Sequence, residues 1–275
     1  MTLLLHTGGT IGMRPGPHGL TPASGVVEAA VGARAQVIAF DPLIDSAEIS
    51  ARHWNRLLDL IEAEAGPVVI THGTDTMAYT GAALSQALAG WPHPVVLTGS
   101  MHPLGTMGGD AEGNLDLALG ARPGAGVWLA FAGRLLPAAG LVKTESQADD
   151  AFRATPQPAE AGPWRRRRFA AARLAVLTVS PGMPAAMLEA ALGALDGAVL
   201  RVFGAGTIPS DPELAGVLAR AVATGRRLRA VSACENGGLA PGAYAAGAPL
   251  WRAGVANGGT ETAEAALIRL WLALS

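Results

Sequence analysis

The chain has 275 residues, enough for one large domain or two modest ones, and with half of it hydrophobic and only 15% charged it can fill a sizeable core, which excludes a disordered chain. Its net charge of −2 lacks the basic surplus of a nucleic-acid-binding surface. The single cysteine, Cys234, rules out an internal disulfide framework and a cysteine-rich metal site.

In chain order, the first expected strand is Thr2–Leu5. Its apolar run is too short for a signal segment and has no positive charge ahead of it. No apolar stretch is long enough to span a bilayer. The expectation is a cytoplasmic protein with no membrane partner. Further strands are expected at Ala35–Ala39, Val68–Ile70, Pro94–Thr98 and Gly126–Ala130, with helices at His53–Ala65, Thr76–Leu88 and Asn114–Leu119. Strands apolar on both sides, alternating with helices, signal a parallel sheet covered on two faces. Pro156, Pro158, Gly162 and Pro163, followed by Arg165–Arg168, then read as an exposed, solvated connection. A second segment follows, with strands expected at Leu174–Val179, Gly197–Val202, Leu228–Ser232 and Pro249–Ala253. Its helices are expected at Ala185–Ala194, Pro212–Thr224 and Thr262–Leu274, the middle one capped by Ser210 with Glu213 reaching back. The fold class is α/β: a three-layer, parallel-sheet domain over 1–155, a linker over 156–173 and a smaller α/β domain over 174–275.

In an open parallel sheet, ligands collect beyond the carboxyl ends of the strands. Three loops lie there: Thr7-Gly8-Gly9-Thr10, Thr71-His72-Gly73-Thr74-Asp75-Thr76 and Thr98-Gly99-Ser100-Met101. Glycine allows close backbone approach, neighbouring amides can serve an oxyanion, and hydroxyls supply a nucleophile. Any one of these loops reads equally well as a turn or a helix cap, and Asp75 would then simply cap the helix that follows. Three at one edge of a sheet favour a site. No G-x-x-x-x-G-K-[ST] exists, Gly204-Ala205-Gly206-Thr207-Ile208-Pro209 ends in proline where a dinucleotide fingerprint needs glycine, and Gly99-Ser100 lacks the G-x-S-x-G frame. The six histidines lack the spacing of zinc ligands and read as surface or structural residues. Neither a cofactor nor a metal is expected.

Thr7-Gly8-Gly9-Thr10-Ile11-Gly12 and His72-Gly73-Thr74-Asp75-Thr76-Met77-Ala78-Tyr79-Thr80 together resemble the two signatures of the bacterial-type L-asparaginase family. Further likeness lies in Thr98-Gly99-Ser100, around Asp110 and Asn114, in Lys143 with Phe152 nine positions on, and in Gly242-Ala243-Tyr244 and Ala253-Gly254-Val255. Met77-Ala78-Tyr79-Thr80 and Pro42-Leu43-Ile44-Asp45-Ser46 are most similar to intracellular, type I members. The resemblance implies that L-asparagine is hydrolysed to aspartate and ammonia, with glutamine as a weaker substrate. It implies Thr10 as the nucleophile, with Thr74, Asp75 and Lys143 as a second hydroxyl–carboxylate–amine cluster. Ser46 and Asp75 would hold the substrate's α-groups, with Gly9, Gly73 and Thr74 lining the pocket. A threonine hydroxyl needs a base within reach, and a lysine serves only if its pKa is lowered, which Asp75 would oppose. Apart from the resemblance, a lone lysine such as Lys143 usually sits in solvent. The resemblance also implies a homodimer or homotetramer, and an effector site near Arg201, Ser232 and Cys234; by itself Cys234 reads as a small buried residue.

The sequence departs from the family at two places. Leu20 stands where members carry a tyrosine in the mobile loop, and Ala47 follows Ser46 where a polar contact is usual. The chain is also short for the family. Two other functions compete with amidohydrolysis: a subunit that supplies ammonia to an aminotransfer partner, for which no docking segment is visible, and an amino-acid-binding protein that has lost efficient turnover.

Overall fold

Leu3, Leu4 and Leu5, all within 5% of complete burial, put the first strand at the heart of a sheet. The computed structural model describes residues 2–64, 66–158 and 162–275. They divide into two units, Met1–Arg168 and Phe169–Ser275.

The first unit runs β1 (Thr2–Gly8), β2 (Met13–Gly16), β3 (Gly19–Pro22), α1 (Val26–Val31), β4 (Ala35–Ile44), α2 (Ala51–Ala63), β5 (Val68–Thr71), α3 (Met77–Ala87), β6 (Pro94–Thr98), α4 (Ala111–Gly120), β7 (Gly126–Phe131), β8 (Arg134–Pro137), β9 (Leu141–Lys143) and β10 (Phe152–Ala154). Its main sheet has the order β4-β1-β5-β6-β7-β8. All pairs are parallel except β7 with β8. Leu4, Val69, Val96 and Ala130 line one face and share a core cluster with Val27 of α1 and Leu115 and Ala118 of α4. Helix α2 buries Trp54, Leu57, Leu58 and Ile61, the spacing of one helical stripe. It ends at Ala63, and Ala65, the expected end, lies outside the described residues.

The second unit runs β11 (Leu174–Thr178), α5 (Ala185–Gly193), β12 (Gly197–Val202), α6 (Pro212–Ala223), β13 (Arg227–Ser232), α7 (Ala248–Arg252), β14 (Ala256–Asn257) and α8 (Ala263–Leu272). Its four strands are parallel, in chain order across the sheet. Leu188 and Leu192 of α5, Leu214 and Leu218 of α6, and Ala198, Leu200 and Val202 of β12 share its core.

Three readings need correction. Pro249–Arg252 is helical, within α7, with Ala253 as the C-cap residue; Pro249 occupies the first turn, a position that needs no amide hydrogen, and the edge strand comes later, at Ala256–Asn257. The cap of α6 is Asp211, whose carboxylate accepts from the Glu213 N–H at 2.8 Å, and not Ser210. Pro212 at the first helical position sets the helix start one residue later than the Ser–Glu spacing suggests. The arginine run is solvated only in part: Arg165 and Arg166 are exposed, as expected, but Arg167 and Arg168 are half-buried. Arg168 pairs with Asp59 at 2.5 Å and Glu62 at 2.7 Å on α2, and Arg167 donates to the Gln86 carbonyl. Residues 159–161 of the expected linker lie outside the described residues. Among the described residues, no helix is long and apolar enough to cross a membrane.

Candidate active site

Four strand ends of the first unit bring the loops that carry the expected residues against one another. Beyond β1 the chain makes a single turn over Thr10–Gly12, closed by the Gly12 N–H on the Gly9 carbonyl at 3.1 Å. Gly9 has φ +90°, and a Cβ built on it would fall 2.5 Å from the Gly73 nitrogen. Only glycine permits that approach, so the loop after β1 lies directly against the loop after β5. One residue further on each loop stand Thr10, half-buried, and Thr74, buried. A Cβ on Gly73 would in turn meet the Ser46 hydroxyl at 2.5 Å, which sets the buried Ser46 beside the same backbone. Thr76 Oγ1 donates to the Ser46 carbonyl at 2.7 Å and fixes that loop.

Lys143 arrives from the end of β9. Its Nζ donates to Thr74 Oγ1 at 2.9 Å and to Asp75 Oδ1 at 2.6 Å, with the lysine side chain 19% exposed and that of Asp75 70%. The bland reading of Asp75 therefore fails: α3 has Thr76 as its N-cap residue, with no side-chain cap, and Asp75 faces the lysine. So does the bland reading of Lys143. The pairing of β9 with β10 places Lys143 opposite Phe152, which accounts for their spacing of nine.

Behind these loops lies a buried histidine network. His72 Nδ1 donates to the Gly73 carbonyl at 2.7 Å, so its Nε2 accepts from the Thr80 hydroxyl at 2.9 Å, which accepts from Trp54 Nε1 at 3.0 Å. Burial pushes the His72 pKa down to about 4, the Gly73 carbonyl partly opposing it, and the ring is neutral. His6 Nδ1 lies 2.7 Å from Thr71 Oγ1, and burial lowers its pKa too, against the opposing charge of Glu28. Neither ring is exposed as an acid–base group. His102 lies 3.4 Å from Asp149 and beside Asp110, all three at least partly exposed. Asp110 already accepts from the Met101 and His102 N–H groups, at 2.8 and 2.9 Å, so the cluster acts as a loop anchor.

The description "Asparaginase, N-terminal" fits residues 2–168, and "Glutaminase/Asparaginase C-terminal domain" fits residues 173–275. The chain belongs to the asparaginase family. It is 30% identical over 305 residues to L-asparaginase 1 of Escherichia coli strain K12, covering 98% of this chain and 90% of that protein. Among solved structures, the thermostable L-asparaginase of Thermococcus kodakarensis superposes with a TM-score of 0.86 at 31% identity, covering 100% of this chain and 93% of the other. L-asparaginase I of Vibrio cholerae superposes with a TM-score of 0.87 at 28% identity, covering 99% and 92%.

Within this asparaginase, Leu20 sits on β3 opposite Pro15, 46% exposed, in a hairpin whose strand residues are mostly exposed. No alternation of apolar residues announced that hairpin. Ala47 is exposed, its N–H held by Asp45 Oδ1 at 2.9 Å. Arg201 is next to last in β12 and Ser232 is last in β13, both in the second unit. Ser232 Oγ donates to the Gly204 carbonyl at 2.7 Å and accepts from the Cys234 N–H at 3.0 Å, while Arg201 donates to the Ala233 carbonyl at 3.5 Å. The three share one corner, and Cys234 is exposed rather than buried.

Proposed function

We propose that the chain is an L-asparaginase in which Thr10 attacks the side-chain amide carbon of L-asparagine. The observation that carries this reading is the Lys143–Thr74–Asp75 cluster, set on the loop that Gly9 touches. The Thr10 oxygen forms a bond to the amide carbon as its hydroxyl proton is lost to a base, from which the proton passes on to the departing nitrogen. Backbone amides around Gly73 and Thr74 stabilise the oxyanion. Collapse of the tetrahedral intermediate breaks the C–N bond: the leaving –NH2 takes up the proton given up by Thr10 and departs as ammonia, and an acyl-enzyme ester remains on Thr10. Water attacks that ester, releasing aspartate and restoring the hydroxyl. Ser46 and Asp75 hold the substrate's α-carboxylate and α-amino groups, with Gly9 and Gly73 lining the pocket. Glutamine is the weaker substrate.

A second reading, an amino-acid-binding protein with little turnover, is favoured by Leu20 alone. We further place the protein in the cytoplasm as a homodimer or homotetramer, with Arg201, Ser232 and Cys234 as an effector corner. Ammonia release from L-asparagine, L-glutamine and D-asparagine tests these readings together. The expected result is release from L-asparagine that Thr10→Ala and Thr74→Ala abolish. Release that survives Thr10→Ala reassigns the nucleophile, and binding without release favours the second reading. A hyperbolic asparagine saturation curve removes the effector corner.

A further inference from the structure

Between β6 and α4 the backbone of one loop is held by two side chains. Asn114, 2% exposed on α4, donates from Nδ2 to the Gly99 carbonyl at 3.0 Å and to Asp110 Oδ2 at 3.0 Å. Its Oδ1 accepts from the Ala132 N–H at 2.9 Å; Ala132, at φ +48°, is the one described residue besides glycines in that region. Both amide hydrogens of Asn114 and its oxygen are thus engaged. Asp110 in turn takes the N–H groups of Met101 and His102.

The consequence falls on Ser100. The peptides on either side of it are trans, and in a planar trans peptide the C=O and the N–H point in opposite directions. Turning the Gly99 carbonyl to Asn114 therefore turns the Ser100 N–H away from the Asn114–Asp110 pair. Turning the Met101 N–H to Asp110 turns the Ser100 carbonyl away as well. Ser100 is 1% exposed and its hydroxyl donates to the His102 carbonyl at 2.5 Å, yet among the described residues nothing meets its backbone N–H or C=O. Buried backbone groups left without partners are rare. An unpartnered N–H and C=O on one residue offer a donor and an acceptor of the kind that a primary carboxamide, with N–H hydrogens and a carbonyl oxygen on one carbon, can meet. The position fits, because Gly99 packs against the His72 carbonyl and so sets this loop beside the one bearing Thr74.

We propose that Asp110 and Asn114 are positioning residues for amide recognition, acting through the Ser100 backbone: by fixing two successive peptides, they hold its carbonyl ready for the substrate's –NH2. An aspartate carboxylate has no hydrogen to give that carbonyl, so the arrangement favours the amide over the acid product. The proposal rests on the L-asparagine reading above.

The test compares wild type with Asn114→Asp and Asp110→Asn, both nearly isosteric, in the full chain. Two quantities are read: kcat/KM for L-asparagine by ammonia release, and competitive inhibition by L-aspartate. The expected result is a loss in kcat/KM of about ten-fold or more with aspartate inhibition unchanged within about three-fold. Turnover within about three-fold of wild type in both variants overturns the proposal. So does aspartate inhibition lost in step with turnover, which marks general collapse of the loop. If Asn114→Asp does not fold, the partly exposed Asp110→Asn decides by the same two readings. A folded wild type that releases no ammonia removes the asparaginase reading and this proposal together; an active wild type with both variants equally active removes this proposal alone.

Discussion

Thr10 and Thr74 differ from ordinary turn threonines in what lies next to each. The close approach of Gly9 to Gly73 brings their loops together, and Lys143 supplies Thr74 with a charged hydrogen-bond donor. Removing the attacking oxygen leaves only binding and polarisation, so Thr10→Ala is expected to lower ammonia release roughly a thousand-fold or more. Leu20 lies on the exposed hairpin, and we propose that it limits turnover. Leu20→Tyr restores a phenol where the family has one, and kcat is expected to rise several-fold in a steady-state assay; an unchanged kcat shows that Leu20 does not limit the reaction. His72 leads to a stability prediction. Its folded pKa of about 4 lies below the ordinary 6.5, so the unfolded chain binds the proton more readily. Its contribution is complete above pH 6.5 and is lost as pH falls from there towards 4, by at most about 3 kcal/mol. Urea unfolding across that window is expected to show a steeper loss for wild type than for His72→Asn.

Elements were legible where packing and period agree. The strands of both sheets carry continuous apolar runs because helices cover them, and α2 shows its buried stripe in the spacing of Trp54, Leu57, Leu58 and Ile61. The β2–β3 hairpin escaped because its mostly exposed strands leave no apolar alternation to read. β9 and β10 escaped because three-residue strands are too short to show a period, and they are what delivers Lys143. At α6, proline chemistry overrode the Ser–Glu pattern. Asp211→Ala is expected to lower the stability of the fold by about 1 kcal/mol in urea unfolding, and Ser210→Ala by almost nothing. Equal effects would return the cap to Ser210.

At the scale of the whole molecule, two parallel-sheet units follow one another in the chain, and the catalytic residues proposed here all lie in the first. The oligomer proposed for the protein has a direct measure. Light scattering on an eluting size-exclusion peak is expected to give twice or four times the 27.8 kDa chain mass, and a fully active monomer removes that proposal.

Read without coordinates, the chain determined its own class. Alternating apolar runs and helical periods dictate a parallel sheet, and glycine–hydroxyl loops fall at the carboxyl ends of its strands. These are local signals, set by a residue and its near neighbours. Tertiary structure alone decided what those loops hold. Lys143 is 69 residues from the hydroxyl it meets, and the Asn114–Asp110 anchor aims peptides at Gly99 and Met101. Hydrogen bonds of that kind depend on where distant segments are brought by burial of the core, and no period or spacing in the sequence encodes that distance.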